Sequence, residues 1–448
     1  MKKLGLYYFG NDLRLHDLAP LRALAARVDY LLCVVCVDPA LLGSSPHILG
    51  DASISHRRRQ FVEESIAQLS EDLDALGQRL IVCRASPVDG LGELLDRYPV
   101  DEVYKSRHPG SYERVQWQVL QKRFPSTRFQ ELDSHTLFNW DALPFAPAEL
   151  PPTFSQFRKA VAALRVQQPL PTLTELPPPP DAMELPARDE GFLALGDDAK
   201  HFRFYGGEVA GLEHTQRYFD SDWPSQYKVL RNDLDSWHHS TKFSPWLALG
   251  CVSAREIVSQ LRDYEARHGA NDSTEWIYFE LLWREYFQWY AYQHADRLFC
   301  FQGIKEHKPL TSFYPERFRA WSCGKTPWPL VNACMHQLNE TGYMSNRGRQ
   351  IVASCFVHEL QLDWRYGAAY FEQQLIDYDM ASNWGNWQYL AGVGADPRAH
   401  RRFDLEKQAR QYDPDGAFTR RWRGGETCAA IDSQDMVGWP CVDGSKNQ

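Results

Sequence analysis

Over the first part of the chain, short apolar runs alternate with longer segments of helical period. LGLYYFG from Leu4, YLLCVVCVD from Tyr30, RLIVC from Arg79 and DEVYKS from Asp101 read as strands. Between them, APLRALAARV and HRRRQFVEESIAQLSEDLDALG carry apolar residues at helical spacing and charges on the outer face. Strand and helix in alternation predict an α/β domain over residues 1–135, built on a parallel, Rossmann-like sheet. Such sheets hold ligands beyond their strand ends, where the topology reverses. Neither G-x-G-x-x-G nor a Walker motif is present, so nothing here supports a dinucleotide or ATP site.

The pattern then breaks. FAPAELPPTF and QQPLPTLTELPPPPDAMELP are too rich in Pro to sustain helix or sheet for long, and predict a semi-rigid connector over residues 136–200. Helical period returns and predicts an all-α domain over 201–423, most clearly in EWIYFELLWREYFQWYAYQHA and RQIVASCFVHELQL. Residues 424–448 have no period and predict a loose tail.

A chain of 448 residues has ample material for two or three domains, and its composition is globular apart from a surplus of aromatics, with 15 Trp, 21 Tyr and 23 Phe. That surplus suits core packing, ring stacking or electron relay alike. The net charge of −9 argues against a protein that coats nucleic acid non-specifically. A local basic face is still available from Arg347, Arg349, Arg398, Arg401, Arg402, Arg420, Arg421 and Arg423. Cys33 and Cys36 have C-x-x-C spacing inside a strand, which puts them on opposite faces, so the ten cysteines read as small hydrophobes in a reducing cytosol. Without a signal-peptide pattern or a membrane-spanning apolar run, the expected location is cytoplasmic.

Four constellations can carry chemistry. In ELLWREYF, Glu280, Trp283, Arg284 and Phe287 share one broad helical face; the spacing alone fits a core helix with an Arg–Glu pair at its rim somewhat better than a ligand site. GYMSNRGRQ places Asn346, Arg347 and Arg349 just past a Gly turn, which suits either anion binding or a solvated basic turn. LIDYDMASNWGNWQY gathers Asp377, Asp379, Asn383, Trp384 and Trp387. Its two Asp can bind a metal, act as acid and base, or accept hydrogen bonds from a ligand, and metal is the weakest of these for want of further oxygen ligands; local capping is the bland alternative. HHSTKFSPWLALG offers Ser240, Thr241 and Ser244 for a phosphate, or simply an N-cap by Ser244 with Pro245 in the first turn.

These blocks, in this order, resemble the photolyase/cryptochrome family. FSPWLALG, FELLWREYF, GYMSNRGRQ and DYDMASNWGNW look like its cryptochrome DASH branch, and GNDLRLHD and DLEKQARQYDPDG extend the likeness from about residue 3 to about 423. The resemblance implies an α/β domain joined by a long linker to an all-α FAD-binding domain. It implies that Tyr227, Ser240, Thr241, Phe243 and Ser244 contact the adenine–phosphate side of FAD, that Arg284, Arg349, Asp377 and Asp379 hold the remainder, and that Asn383 faces the redox-active ring nitrogen. It further implies a pocket for a pyrimidine dimer formed by Glu280, Trp283, Asn346 and Arg347, and an electron relay through Trp387 and Trp364.

The sequence also departs from the family pattern. Gln350 and Tyr389 stand where duplex-repairing photolyases have Met and Trp, which reduces apolar contact with a flipped dimer and predicts repair of cyclobutane pyrimidine dimers in single-stranded DNA. The outer tryptophan of the relay falls at Thr311, with Tyr314, Trp321 and Trp328 as substitutes. His108 replaces the Glu that holds 5,10-methenyltetrahydrofolate in DASH proteins, so antenna binding is expected to be weakened or lost. A monomer acting on DNA away from membranes is expected, with a blue-light photoreceptor as the alternative reading.

Overall fold

The structure is a computed structural model that describes residues 2–39, 46–47, 50–51, 54–180, 204–305, 308–396 and 401–427. Residues 428–448 of the expected tail, 181–200 of the expected connector and Arg398 lie outside the described residues.

Five strands form one parallel sheet: β1 (Leu4–Phe9), β2 (Tyr30–Cys36), β3 (Leu80–Cys83), β4 (Glu102–Ser106) and β5 (Arg128–Leu132), in the order β3-β2-β1-β4-β5. The order reverses between β1 and β4, the place where such sheets open a crevice. Side-chain alternation divides the sheet cleanly. Leu6, Leu32 and Val34 pack under helices α3 (Pro87–Arg97) and α4 (Ser111–Arg123), joined there by Leu91, Leu94, Trp117 and Leu120. Tyr7, Phe9, Cys33 and Val35 face the other way, toward α1 (Ala19–Ala25), α2 (His56–Ala75) and the rest of the molecule.

The expected connector is docked along its described length. It makes two 3-10 turns, Trp140–Ala142 and Pro147–Glu149, and one short helix, α5 (Phe154–Ala160), capped by Thr153. Phe154 and Phe157 of α5 are buried in the core shared with the helical domain. Glu285 draws the connector in, accepting from the backbone N–H of Leu137 (2.8 Å) and Phe138 (3.2 Å).

The helical domain includes α6 (Glu208–Phe219), α7 (Ser244–Leu249), α8 (Ala254–His268), α9 (Asp272–His294), α10 (Pro329–Thr341), α11 (Asn346–Ser354), α12 (Trp364–Gln374) and α13 (Met380–Leu390). Helix α9 is the central rod. Asn271 starts it with a reciprocal cap, its side chain accepting from the Thr274 N–H while Thr274 Oγ1 accepts from the Asn271 N–H. From Leu281 to Ala291 nearly every side chain is buried, so the helix is covered on all sides rather than amphipathic.

The loop after β1 plugs one domain into the other. Arg14 is buried, donating to the carbonyls of Gly250 (2.7 Å) and Ser134 (2.7 Å). Glu208 accepts from the backbone N–H of Leu15 and His16, and Arg255 pairs with Asp17 at 3.0 Å. Gly250, at φ +67°, lies so close to this loop that a Cβ there would stand 2.0 Å from the Asn11 carbonyl oxygen. Among the described residues no helix is long and apolar enough to cross a membrane.

Candidate cofactor and substrate site

Asp377 is the centre of the inner site. It is buried, and its Oδ2 accepts from Ser244 Oγ at 2.6 Å and from Arg349 Nη2 at 2.7 Å. Its Oδ1 is buried with no hydrogen-bond partner. Three distant segments thus converge on one carboxylate. Ser244 does not cap its helix: Phe243 occupies the cap position, and the Ser244 hydroxyl turns away to Asp377 instead. Phe243 packs its ring against His214, Tyr218 and Phe219. The Thr241 carbonyl accepts from His214 Nε2 at 2.8 Å, Ser240 is half-buried, and Tyr227 is buried with its hydroxyl pKa raised by desolvation.

Asp379 begins α13 as its N-cap, accepting from the Ser382 N–H at 2.7 Å, and both its oxygens accept from Gln288 Nε2 at 3.0 Å. His135 Nε2 lies 3.7 Å away and accepts from Arg284 Nη2 at 2.8 Å, while Arg284 Nη1 donates to the His135 carbonyl. Burial alone would raise the Asp379 carboxyl, but His135 and Arg284 outweigh it and hold the group well below the usual carboxylate range. His135 is pushed down to about 3 by burial and by Arg284. The two Asp residues therefore face separate partners and do not form one ligand set. Among the described residues no cluster of three or more His, Cys, Asp or Glu is arranged to hold a metal.

Asn383 stands one turn along α13 from Asp379, buried, its amide Nδ2 donating to the Ala368 carbonyl at 3.0 Å. That bond fixes the side chain and leaves its oxygen as the remaining polar atom. A further turn on, Trp387 is buried with its ring edge-on to Trp321 (6.3 Å), Phe356 (5.6 Å) and Phe371 (5.2 Å). Trp364 is fully buried and meets Trp384 edge-on at 5.8 Å. Trp321 lies 5.5 Å from Tyr370, whose hydroxyl donates to Asn339 Oδ1. The Thr311 hydroxyl is buried without a hydrogen-bond partner.

The outer half lies along α9. Glu280 pairs with Arg231 Nη1 at 2.8 Å and accepts from Trp276 Nε1 at 3.0 Å, with about a third of its side chain exposed (32%). Desolvation raises its pKa against the pull of Arg231. Trp283 stacks on Phe154 of the connector at 3.8 Å and 10°, which covers one indole face, and it meets Tyr389 at 5.8 Å. Tyr389 is held by Arg401, which donates to its hydroxyl and lies 4.1 Å over its ring. Asn346 is exposed and Gln350 half-buried at the start of α11.

Arg347 and Arg349 do not form one anion site, because residues two apart on a helix point away from each other. Arg349 goes inward to Asp377. Arg347 goes outward, to Asn232 Oδ1 at 3.1 Å and over the Tyr412 ring at 4.8 Å. Much of the expected basic face is also engaged, with Arg402 on Glu359, Arg421 on Asp235, Arg423 on Glu340 and Arg401 on Asp396. The partners Arg231, His135, Gln288, Trp276 and Phe154 were not anticipated; no local pattern marks them, since each acquires its place through tertiary contact alone.

Near the crevice of the sheet, His108 Nδ1 accepts from the Gly110 N–H at 3.1 Å and lies 3.7 Å from Glu113. Its ring is 5.9 Å from that of His135, so this loop abuts the Asp379 cluster.

Comparison with known proteins agrees with this architecture. Residues 5–179 match the family described as DNA photolyase, and residues 276–424 match the FAD binding domain of DNA photolyase. The cryptochrome DASH of Idiomarina loihiensis is 51% identical, covering 98% of this chain and 96% of its own length. That of Vibrio parahaemolyticus is 50% identical over 100% and 99%. The crystal structure of a Synechocystis cryptochrome superposes with a TM-score of 0.87 at 36% identity, covering 94% of this chain and 89% of its own. A class III photolyase of Agrobacterium tumefaciens shares the fold, with a TM-score of 0.80 at 24% identity over 94% and 86% of the two chains.

An α/β domain locked onto a helical, FAD-binding domain is thus the architecture shared with the photolyases and cryptochromes. The chain belongs to the photolyase/cryptochrome family, and within it to the cryptochrome DASH branch. The residues present fit FAD: the unpartnered Asp377 Oδ1 is a buried acceptor awaiting a donor, and Arg349 and Arg284 supply positive charge beside it and beside Asp379.

Proposed function

We propose that the protein uses blue light and FAD to split cyclobutane pyrimidine dimers in single-stranded DNA. The observation that carries this reading is Glu280, a partly exposed carboxyl with a raised pKa, set beside Trp283 on the buried rod α9. Arg231 and Trp276 both engage Oε1 of this carboxyl, and its exposed part can meet a dimer carbonyl that gains negative charge. Reduced FAD, when bound, supplies the electron after absorbing light. Ser240, Thr241, Phe243, Ser244 and Tyr227 line its adenine–phosphate side, Asp377, Asp379, Arg284 and Arg349 hold its centre, and Asn383 faces the ring. Glu280 hydrogen-bonds the dimer's carbonyl edge and lends it a proton, the indole of Trp283 packs on the dimer, and Asn346, Arg347 and Gln350 border the pocket.

The preference for single strands rests on charge and contact. Among the described residues, Arg402, Arg421 and Arg423 of the basic face pair with acidic neighbours, and the chain carries −9 overall, which leaves less positive charge to repay the cost of bending a duplex. Extruding a damaged base costs a few kcal/mol from a duplex and less from a single strand. The working form in this proposal is a cytoplasmic monomer, and the His108–Glu113 loop is where 5,10-methenyltetrahydrofolate binds weakly or not at all.

One observation favours the photoreceptor reading: Phe154 already occupies a face of Trp283. An oligothymidine carrying dimers, illuminated with the reduced protein beside dark and duplex controls, separates the two. Recovery of thymine absorbance on the single strand supports repair. A light-responsive flavin with no dimer split leaves the receptor reading.

A further inference from the structure

Cys36 ends β2 and Cys83 ends β3, and the two are direct partners in the parallel register. Both side chains point to the face covered by α3, where both are partly buried. Gly90 of α3 leaves that space open: a Cβ at Gly90 would stand 3.2 Å from Cys36 Sγ and 3.5 Å from Cys83 Sγ. The two sulfurs therefore converge on one gap. Neighbouring strands lie about 4.8 Å apart, within the ~4.4–6.8 Å Cα separation that a disulfide spans. Cys33, the C-x-x-C neighbour in sequence, is buried on the opposite face of the sheet and takes no part.

We propose that Cys36 and Cys83 form a reversible redox couple, oxidised to an intramolecular disulfide by a low-molecular-weight disulfide. The thiols divide the labour. Hydrogen bonding from Cys36 lowers the Cys83 pKa, and the same contact raises that of Cys36. Cys83 attacks as thiolate, forming a mixed disulfide and releasing one small thiol. Cys36 then loses its proton to solvent, attacks Cys83 Sγ and expels the second small thiol. Two protein thiols lose two electrons, and the oxidant becomes two thiols.

The bond would close a loop that contains α2. Ser55 and Arg58 at the start of α2 hold the helical domain, Ser55 through the carbonyls of Gln373 (2.8 Å) and Gln374 (3.0 Å) and Arg58 through that of Glu372. Oxidation staples the edge strand β3 to β2 and tethers this docking helix at both ends.

The test is to equilibrate the full-length protein with oxidised and reduced glutathione at several ratios, trap free thiols with an alkylating reagent, and map peptides by mass spectrometry. A Cys36–Cys83 linked peptide should grow with the oxidising ratio and vanish on dithiothreitol, with a rise of several degrees in melting temperature. In Cys36→Ser, Cys83 should instead accumulate as its glutathione adduct, several-fold above wild type. Full alkylation of both cysteines at the most oxidising ratio would overturn the proposal. So would equal glutathione adduct in wild type and Cys36→Ser.

Discussion

Arg231 Nη1 lies 2.8 Å from Glu280, the closest charge to the carboxyl that faces the proposed dimer pocket. The two oppose each other's environment, because burial raises the Glu280 pKa while Arg231 pulls it down. Glu280→Gln keeps an acceptor for Trp276 Nε1 but cannot release a proton. We expect it to fold with FAD bound and to lose about 10²-fold in dimer splitting, the usual scale for one acid–base group. Arg231→Gln should move the pH dependence of splitting upward, since Glu280 then stays protonated to higher pH. Single-turnover splitting measured between pH 5 and 9 checks both.

Asp377 joins Ser244 and Arg349 in the inner site, and its second oxygen is unpartnered. Asp377→Asn removes the ion pair of Arg349, whose side chain is a quarter exposed (25%), and should cost less than breaking a fully buried pair, about 3–5 kcal/mol. The variant should purify with little flavin, read as the ratio of visible to protein absorbance. Ser244→Ala should lose far less, about 1 kcal/mol for a single hydrogen bond.

His214 is buried, and burial holds it at about 4. Between an unfolded pKa near 6.5 and about 4, the unfolded chain binds a proton that the native chain does not. Stability from this group is therefore complete above that window and falls as pH drops through it, by about 1.4 kcal/mol per pH unit. His214→Gln preserves a donor for the Thr241 carbonyl and removes the titration. Urea unfolding at pH 7 and pH 5 should show a smaller loss for the variant than for wild type.

Trp387 touches Trp321, which in turn touches Tyr370 near the surface. With threonine at position 311, this is a continuous ring path from Trp387 toward the surface. Trp321→Phe should slow light-driven reduction of bound flavin at least tenfold, and transient absorption should show the radical signal at the remaining tryptophan recombining sooner. Trp364→Phe should have the smaller effect if the path through Trp321 dominates; the reverse order would return the relay to Trp364.

The central strands β1 and β2 were legible because both sheet faces are buried there, which forces apolar runs, whereas β3 is a four-residue edge strand and β4 mixes Glu102 and Lys105 with its apolar residues. The edge strand β5, RFQEL, was not, since its residues are half-exposed and mixed in polarity. The connector's Pro content correctly denied it long elements but gave no sign that Phe154 would pack on Trp283. Among site residues, Asp379 and Asn383 share a helix and so could be read together from spacing. Ser244 could not be read in this way. Its place beside Pro245 suggested a cap, and its actual partner, Asp377, is set by how α7 meets the start of α13. Arg347 and Arg349 looked like one cluster in the linear text, and the helical turn separated them.

The Arg14 plug has one more consequence. Its guanidinium satisfies carbonyls from residues 17, 134 and 250, so removing any of these segments strands a buried cation. The two halves should therefore melt as one cooperative particle, and a half expressed alone should fail to accumulate. The light-absorbing centre cannot be inherited without the sheet that reads, by sequence, as a separate module.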